Sequence, residues 1–154
     1  MKSKVYFIRS IDSDSLCAIY DALGTELHGK VAIKISTGEP GGHNFLNPAL
    51  IKPLVDKLSG TIVECNTAYE GRRYNSKDHW QAIRDHGFAA IAPCDIMDEF
   101  GEMSLPVTNG VHLTENFVGE HFAKYDSMLI LSHFKGHAMG GFGGALKNMS
   151  IGIA

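Results

Sequence analysis

Cysteine is scarce in this chain. Cys17, Cys65 and Cys94 are the only three, far apart and odd in number, with no C-x-x-C pair. This argues against a disulfide framework and against a four-thiolate cluster within the chain. Long apolar runs are also missing. Nothing approaches the roughly 18 apolar residues of a membrane-spanning helix, so no membrane association is expected. Residues 5–8 (Val-Tyr-Phe-Ile), after Met1-Lys-Ser-Lys, form too short a run for a signal peptide, and the cytoplasm is the default location. Positive charge is not in excess. Fourteen Lys and Arg against 17 Asp and Glu give a net charge of −3, whereas a nucleic-acid binder needs a basic face. Repeats, low-complexity segments and internal linkers are absent as well.

What is present is the composition of an ordinary globular protein, 44% hydrophobic and 20% charged over 154 residues. That length fits a single domain, 1–154, able to bury a real core. The apolar pattern alternates between strand and helix. Residues 5–8 predict a first strand. Asp12 predicts a helix start, with Leu16, Ile19, Tyr20 and Leu23 at helical spacing and Gly24 as a stop. Residues 30–35 predict a second strand. Asn47-Pro48 reads as an N-cap followed by proline at the first helical position. That helix carries Leu50, Ile51, Leu54, Val55 and Leu58, with an irregularity expected at Pro53. Residues 61–65 predict a third strand. Ser76 predicts the cap of a helix reaching about His86, and residues 89–92 a short strand. Residues 103–108 and 111–113 predict a small hairpin about Asn109-Gly110. Residues 114–122 fit a strand or a helical turn equally, and residues 127–132 predict the last strand.

This rhythm predicts an α/β fold: a mostly parallel, doubly wound sheet of about five strands, with helices on both faces and a small hairpin insert. Right-handed crossovers place the strand-to-helix loops on one edge. Ligands of such sheets bind outside the carboxyl ends of the strands. Three loops there have the composition of a site: 36–47, 66–75 and 133–144.

The third loop is the richest. Residues 133–147 hold two histidines, two lysines and five glycines. Gly140, Gly141, Gly143 and Gly144 let backbone N–H groups approach a ligand, and the helix that follows directs its positive end to the same place. A bound anion is the expected ligand. The loop is neither a Walker A sequence nor G-x-G-x-x-G, and a purely structural glycine turn is the bland alternative. Lys147 is the leading charged candidate, as nucleophile, base or anion holder, with Lys135 and Asn148 beside it. His133 and His137, four apart, suit proton transfer, substrate hydrogen bonding or, on a helix, a metal. Arg72 and Arg73 suit carboxylate or phosphate recognition, against a surface pairing with Glu70 or Asp78. His43 ends the first loop on the same edge. Glu64 can pair with Lys34 on the neighbouring strand, in a structural or a catalytic role. Cys65 reads as a small buried hydrophobe rather than a nucleophile.

The stretch H-F-K-G-H-A-M-G-G-F-G-G-A-L-K-N-M-S-I-G, with Glu64-Cys-Asn-Thr-Ala-Tyr-Glu-Gly-Arg-Arg73 and Gly119-Glu-His-Phe122, resembles the signature of domain-of-unknown-function family 362. Its members are described as uncharacterised iron–sulfur centre proteins. The resemblance implies an α/β domain at the N-terminal end of a longer protein. It also implies a downstream ferredoxin-like module whose clustered cysteines hold a 4Fe-4S cluster. Three scattered cysteines put those metal ligands outside this chain, and the close at Ile151-Gly-Ile-Ala154 fits the same expectation. The shorter pattern G-G-x-x-K-N-x-S-I-G is similar to the glycine–lysine segment of nickel-pincer lactate racemases, in which a lysine, histidines and an arginine frame a cofactor.

Two functions are compatible with this sequence. One is a small-molecule enzyme of oxidoreductase or isomerase type, binding a small anionic molecule at the glycine loop. The other is a non-catalytic scaffold that docks a ferredoxin-like module or partner protein.

Overall fold

Helix caps written in the sequence set the element boundaries in the computed structural model, which describes residues 2–153. Helix α1 (Ser13–Leu23) begins where the Asp12 carboxylate accepts from the Ser15 N–H, and it ends at Gly24 with φ 62°. Strand β1 (Val31–Lys34) follows. Helix α2 (Pro48–Leu58) starts where the Asn47 side chain accepts from the Ala49 N–H, and it accommodates Pro53 internally. Strand β2 (Thr61–Glu64) leads to α3 (Ser76–Asp85). The cap of α3 is Asn75, which accepts from the Asp78 N–H, one residue before the expected Ser76. Strand β3 (Cys94–Ile96) is followed by β4 (Glu102–Pro106), β5 (Glu115–Gly119) and β6 (Ser127–Ile130). The chain closes with β7 (Lys135–His137), β8 (Gly141–Gly143) and α4 (Ala145–Ile153).

Four strands form one parallel sheet in the order β3-β2-β1-β6, with β4-β5 and β7-β8 as separate antiparallel hairpins. Ile33 pairs with Ile62 on one side and Leu129 on the other. Alternation along β1 divides the core. Val31, Ile33 and Ile35 face Ile51, Val55, Ile83 and Phe88 beneath α2 and α3. Ala32 faces the opposite side with Val63 and Met97, covered by Val118 of the β4-β5 hairpin and Ile153 of α4. Ile33, Ile62 and Phe88 are fully or almost fully buried. Each such side chain contributes roughly 1.5–3 kcal/mol. The order turns back at β1, with β2 and β3 to one side and β6 to the other. That makes the crevice between the carboxyl ends of β1 and β6 a topological switch point.

Three expectations need correction. Residues 5–8 form no strand, so the sheet has four strands rather than about five. A strand needs a ladder partner, and a local apolar run does not specify one. Val5 and Phe7 stay 88% and 83% exposed. Residues 89–92 are not a strand either. Gly87 turns the chain at φ 84°, Phe88 enters the core, and a 3₁₀ turn covers Phe88–Ala90. The strand starts after Pro93, whose carbonyl accepts from the Ile62 N–H. The hairpin around Asn109 (φ 59°) exists, but its second strand is β5 rather than 111–113. Beyond β5, a 3₁₀ turn at Glu120–Lys124 leads to β6. At Gly119 a Cβ would overlap the Met97 carbonyl, so the β4-β5 hairpin seats on the sheet only through glycine.

Candidate functional site

Lys34 ends β1 with its side chain turned toward α4, and only 1% of the residue is exposed. Its three ammonium protons are all used. Nζ donates to Glu64 Oε2 at 2.8 Å, to the Ile35 carbonyl at 2.8 Å and to Asn148 Oδ1 at 2.9 Å. Asn148 lies one residue beyond Lys147 in α4. It also donates to the Lys34 carbonyl and to Ser132 Oγ, so it ties α4 into the switch point. Gly152 lets the helix come this close, because a Cβ there would stand 3.1 Å from Lys34 Nζ.

Glu64 ends β2 and is 3% exposed. Its second oxygen, Oε1, accepts from the Thr37 N–H at 2.7 Å, the Thr37 hydroxyl at 3.0 Å and Arg73 Nη1 at 3.5 Å. Burial pushes this carboxyl up. The Lys34 ammonium, the hydrogen bond and charge of His79, and the Arg73 guanidinium together overcome that and hold it well below the usual carboxylate range. His79 is fully buried, with Nε2 3.8 Å from Glu64 and 3.4 Å from the Thr37 hydroxyl. Its Nδ1 lies 3.1 Å from Asn66 Oδ1, an oxygen that only accepts, so Nδ1 carries a proton. Arg73 also binds Glu39 and stands 3.5 Å from the Tyr69 hydroxyl. His86 holds the first loop from beneath, 2.6 Å from the Thr37 carbonyl and stacked on Phe45 at 4.1 Å.

The carboxyl edge therefore gathers all three loops expected there. Loop 36–47 arrives through Thr37 and Glu39, and loop 66–75 through Arg73 and Tyr69. Loop 133–144 forms the β7-β8 hairpin that starts α4. Beside that hairpin a shallow groove of about 310 Å³ is lined by Gly140, Phe142, Gly144, Lys147 and Ser150, among others. Lys147 is half-buried, its Cδ 3.7 Å from where a Gly143 Cβ would be. It makes no hydrogen bond or ion pair among the described residues. Gly141 turns the hairpin at φ 71°.

The remaining candidates divide clearly. His133, Lys135, Arg72 and His43 are exposed. His137 is half-buried, and its Nδ1 accepts from the Met139 and Gly140 N–H groups at 3.3 and 3.1 Å. It thus shapes the hairpin turn. His133 and His137 lie on a hairpin rather than a helix, so the one-face geometry expected of an i,i+4 pair is not formed. Among the described residues no group of three or more His, Cys, Asp or Glu could hold a metal ion.

The chain's own cysteines do not fit an iron–sulfur cluster. Burial pushes the Cys65 and Cys94 thiols up to about 12. Each donates to a backbone carbonyl, that of Ile153 and of Ala92 respectively. Thiols so raised and so placed are small hydrophobes, as expected for Cys65.

Thr37, Glu39 and His79 were not legible as site residues. A signal existed only for His79, which shares the buried stripe of α3 with Ala82 and Ile83. A second polar cluster lies across the sheet. Asp95 binds His121 Nδ1 at 2.8 Å and the Tyr125 hydroxyl at 2.7 Å. Burial, then the Asp95 hydrogen bond, raise the Tyr125 hydroxyl above its usual range. This cluster fastens the Glu120–Lys124 turn to β3.

The family described as Domain of unknown function (DUF362) matches residues 31–154, which include every strand of the sheet and both loop hairpins. No curated protein and no solved structure matches the chain. The chain belongs to the DUF362 family.

Proposed function

From that membership, we propose that this DUF362 domain binds a small anionic substrate or cofactor at the carboxyl edge of its sheet, between the β7-β8 hairpin and the start of α4. The bound molecule would serve redox chemistry together with a 4Fe-4S cluster ligated outside this chain. One observation carries the proposal. The strand order turns back between β1 and β6, Asn148 ties α4 to Lys34 at that crevice, and the same helix carries Lys147 into the groove beside the glycine hairpin.

The chemistry follows from the groups available. Gly144 lines the groove without a side chain at the start of α4, which adds its positive end, while the Gly140 N–H is taken by His137 Nδ1. Lys147 supplies a full charge, with Lys135 and Arg72 free to close over the ligand. His133, exposed and beside the hairpin, would exchange a proton with the bound molecule. Asn148 and the buried Lys34 hold α4 in register but are themselves fully occupied.

Calorimetric titration of the wild type and Lys147→Met with phosphate, small carboxylates and nucleotides tests the proposal. Loss of one charge-assisted contact is about 1.5–3 kcal/mol, more than tenfold in affinity. Equal affinities in the two proteins would refute it.

One observation favours the scaffold reading instead. Phe134, Phe142, Leu146 and Ile151 are 72%, 57%, 72% and 68% exposed on this same hairpin and helix. Such a patch suits a docked protein. On that reading Phe142→Ser weakens association with a ferredoxin-like module, and no anion distinguishes wild type from Lys147→Met.

A further inference from the structure

Among the described residues, Arg73 Nε is the buried side-chain polar atom that finds no hydrogen-bond partner. The residue is only 7% exposed. A buried donor without a partner is costly, so its place in the site needs a reason. In a guanidinium, Nε–H and one Nη2–H point the same way and form a fork that matches the two oxygens of a carboxylate. In Arg73, Nη1 is used by Glu64, and Nη2 by Glu39 Oε1 and the Tyr69 hydroxyl. The fork is half filled, and the group filling it is itself a carboxylate.

The two acidic partners differ in kind. Glu64 is buried and committed to Lys34 and Thr37. The Glu39 side chain is 58% exposed. It lies on a loop turned by Gly38 at φ 83° and Gly41 at φ 79°. Phe45 packs against Gly38, where a Cβ would stand 2.7 Å away, whereas nothing lies within 4 Å of a Cβ at Gly41. Glu39 sits between a glycine packed on Phe45 and one that faces open space. The hydrogen bond from Arg73 keeps the Glu39 carboxyl below its usual range, so it is ionised at neutral pH.

We infer that Arg73 is the carboxylate-binding residue of this edge, and that Glu39 is an internal carboxylate held in its place until the carboxylate of a bound molecule displaces it. The inference rests on reading the edge as an anion site, and it names the anion's class: a small carboxylic acid, whose two oxygens take Nε and Nη2 together. Displacement swings Glu39 out on the Gly41 side and leaves Glu64 as the buried counter-charge. A carboxylate then satisfies the donor that Glu39 leaves open.

The test uses acetate and oxalate as probes on the full chain, by calorimetry at fixed ionic strength. Glu39→Ala removes the competitor and is expected to tighten acetate by about tenfold, the scale of one charge-assisted hydrogen bond. Glu39→Gln keeps an acceptor but drops the charge, and gives a smaller gain in the same direction. Arg73→Lys placed in the Glu39→Ala protein keeps the charge and removes the fork, and the gain disappears. Thermal melting gives a second readout: acetate raises the melting temperature of Glu39→Ala more than that of the wild type. Acetate bound no tighter by folded Glu39→Ala and Glu39→Gln, or a gain that survives Arg73→Lys, overturns the inference. The role given to Lys147 stands or falls separately. Lys147→Met that loses acetate while Glu39→Ala gains nothing upholds Lys147 and overturns the displaced carboxylate. The opposite pattern does the reverse.

Discussion

Replacing Lys34 by methionine keeps the length of the side chain and removes the charge from the centre of the site. Glu64 is then left 3% exposed without its nearest cation. It retains Arg73 at 3.5 Å and His79 at 3.8 Å. Breaking a buried pair by removing one partner costs about 3–5 kcal/mol, because the surviving charge stays desolvated. For a domain of this size that lowers the melting temperature by roughly 6–20 °C. The effect depends on pH, and its sign follows from the carboxyl. In the wild type Glu64 sits well below its unfolded value of 4.5. Its contribution is therefore complete above that value and is lost as pH falls toward the folded value. In Lys34→Met the same carboxyl loses its main stabiliser while burial still pushes it up, so it takes a proton more readily. The stability gap between the two proteins is thus widest near neutral pH and narrows below about pH 5. Urea melts of both proteins at several pH values measure it. A gap under 1 kcal/mol, or one that does not change with pH, would show that Lys34 does not hold Glu64 in the way described.

Gly119→Ala drives a methyl into the Met97 carbonyl although φ −57° suits any residue. It should cost about 1–3 kcal/mol by overpacking, while Gly136→Ala, with nothing within 4 Å, is the neutral control in the same thermal melts. Cys65 and Cys94, pushed up to about 12, hold a thiolate fraction of about one in ten thousand at pH 8. Alkylation of both should be slow in the native protein and fast in denaturant. Rapid native labelling of either, read by mass spectrometry, would contradict their burial.

Local chemistry was legible in the sequence, and long-range geometry was not. Asp12, Gly24, Asn47 and Pro48 each carry a cap or stop that acts within four residues, and each is where it was expected. The three loops of the carboxyl edge followed from the alternation of strands and helices. The pairing of Lys34 with Glu64 followed from their positions at the ends of neighbouring strands. Residues 5–8 misled because an apolar run says nothing about a partner. Residues 89–92 misled because Gly87 and Phe88 decide the local path through a turn and a core contact. Glu39 was invisible as a site residue for a similar reason. Its meeting with Arg73 bridges two loops 34 residues apart, and nothing in a loop's composition records which other loop it touches.

The position of β1 in the sheet also sets an order of assembly. Lys34 meets Glu64 across 30 residues but Asn148 across 114. At the usual rate of synthesis, about 5–20 residues per second, the 84 residues separating those two partners take roughly 4–17 s to emerge. For that time β1 can pair with β2, and β2 with β3, but the other side of β1 awaits β6 and α4. A strand that is central in the finished protein is an open edge on the growing chain, with Val31, Ala32 and Ile33 exposed to chance pairing. The β1-β6 ladder and the Asn148 contact come after the β1-β2 pairing, so Lys34 waits for its third partner with its first already in place.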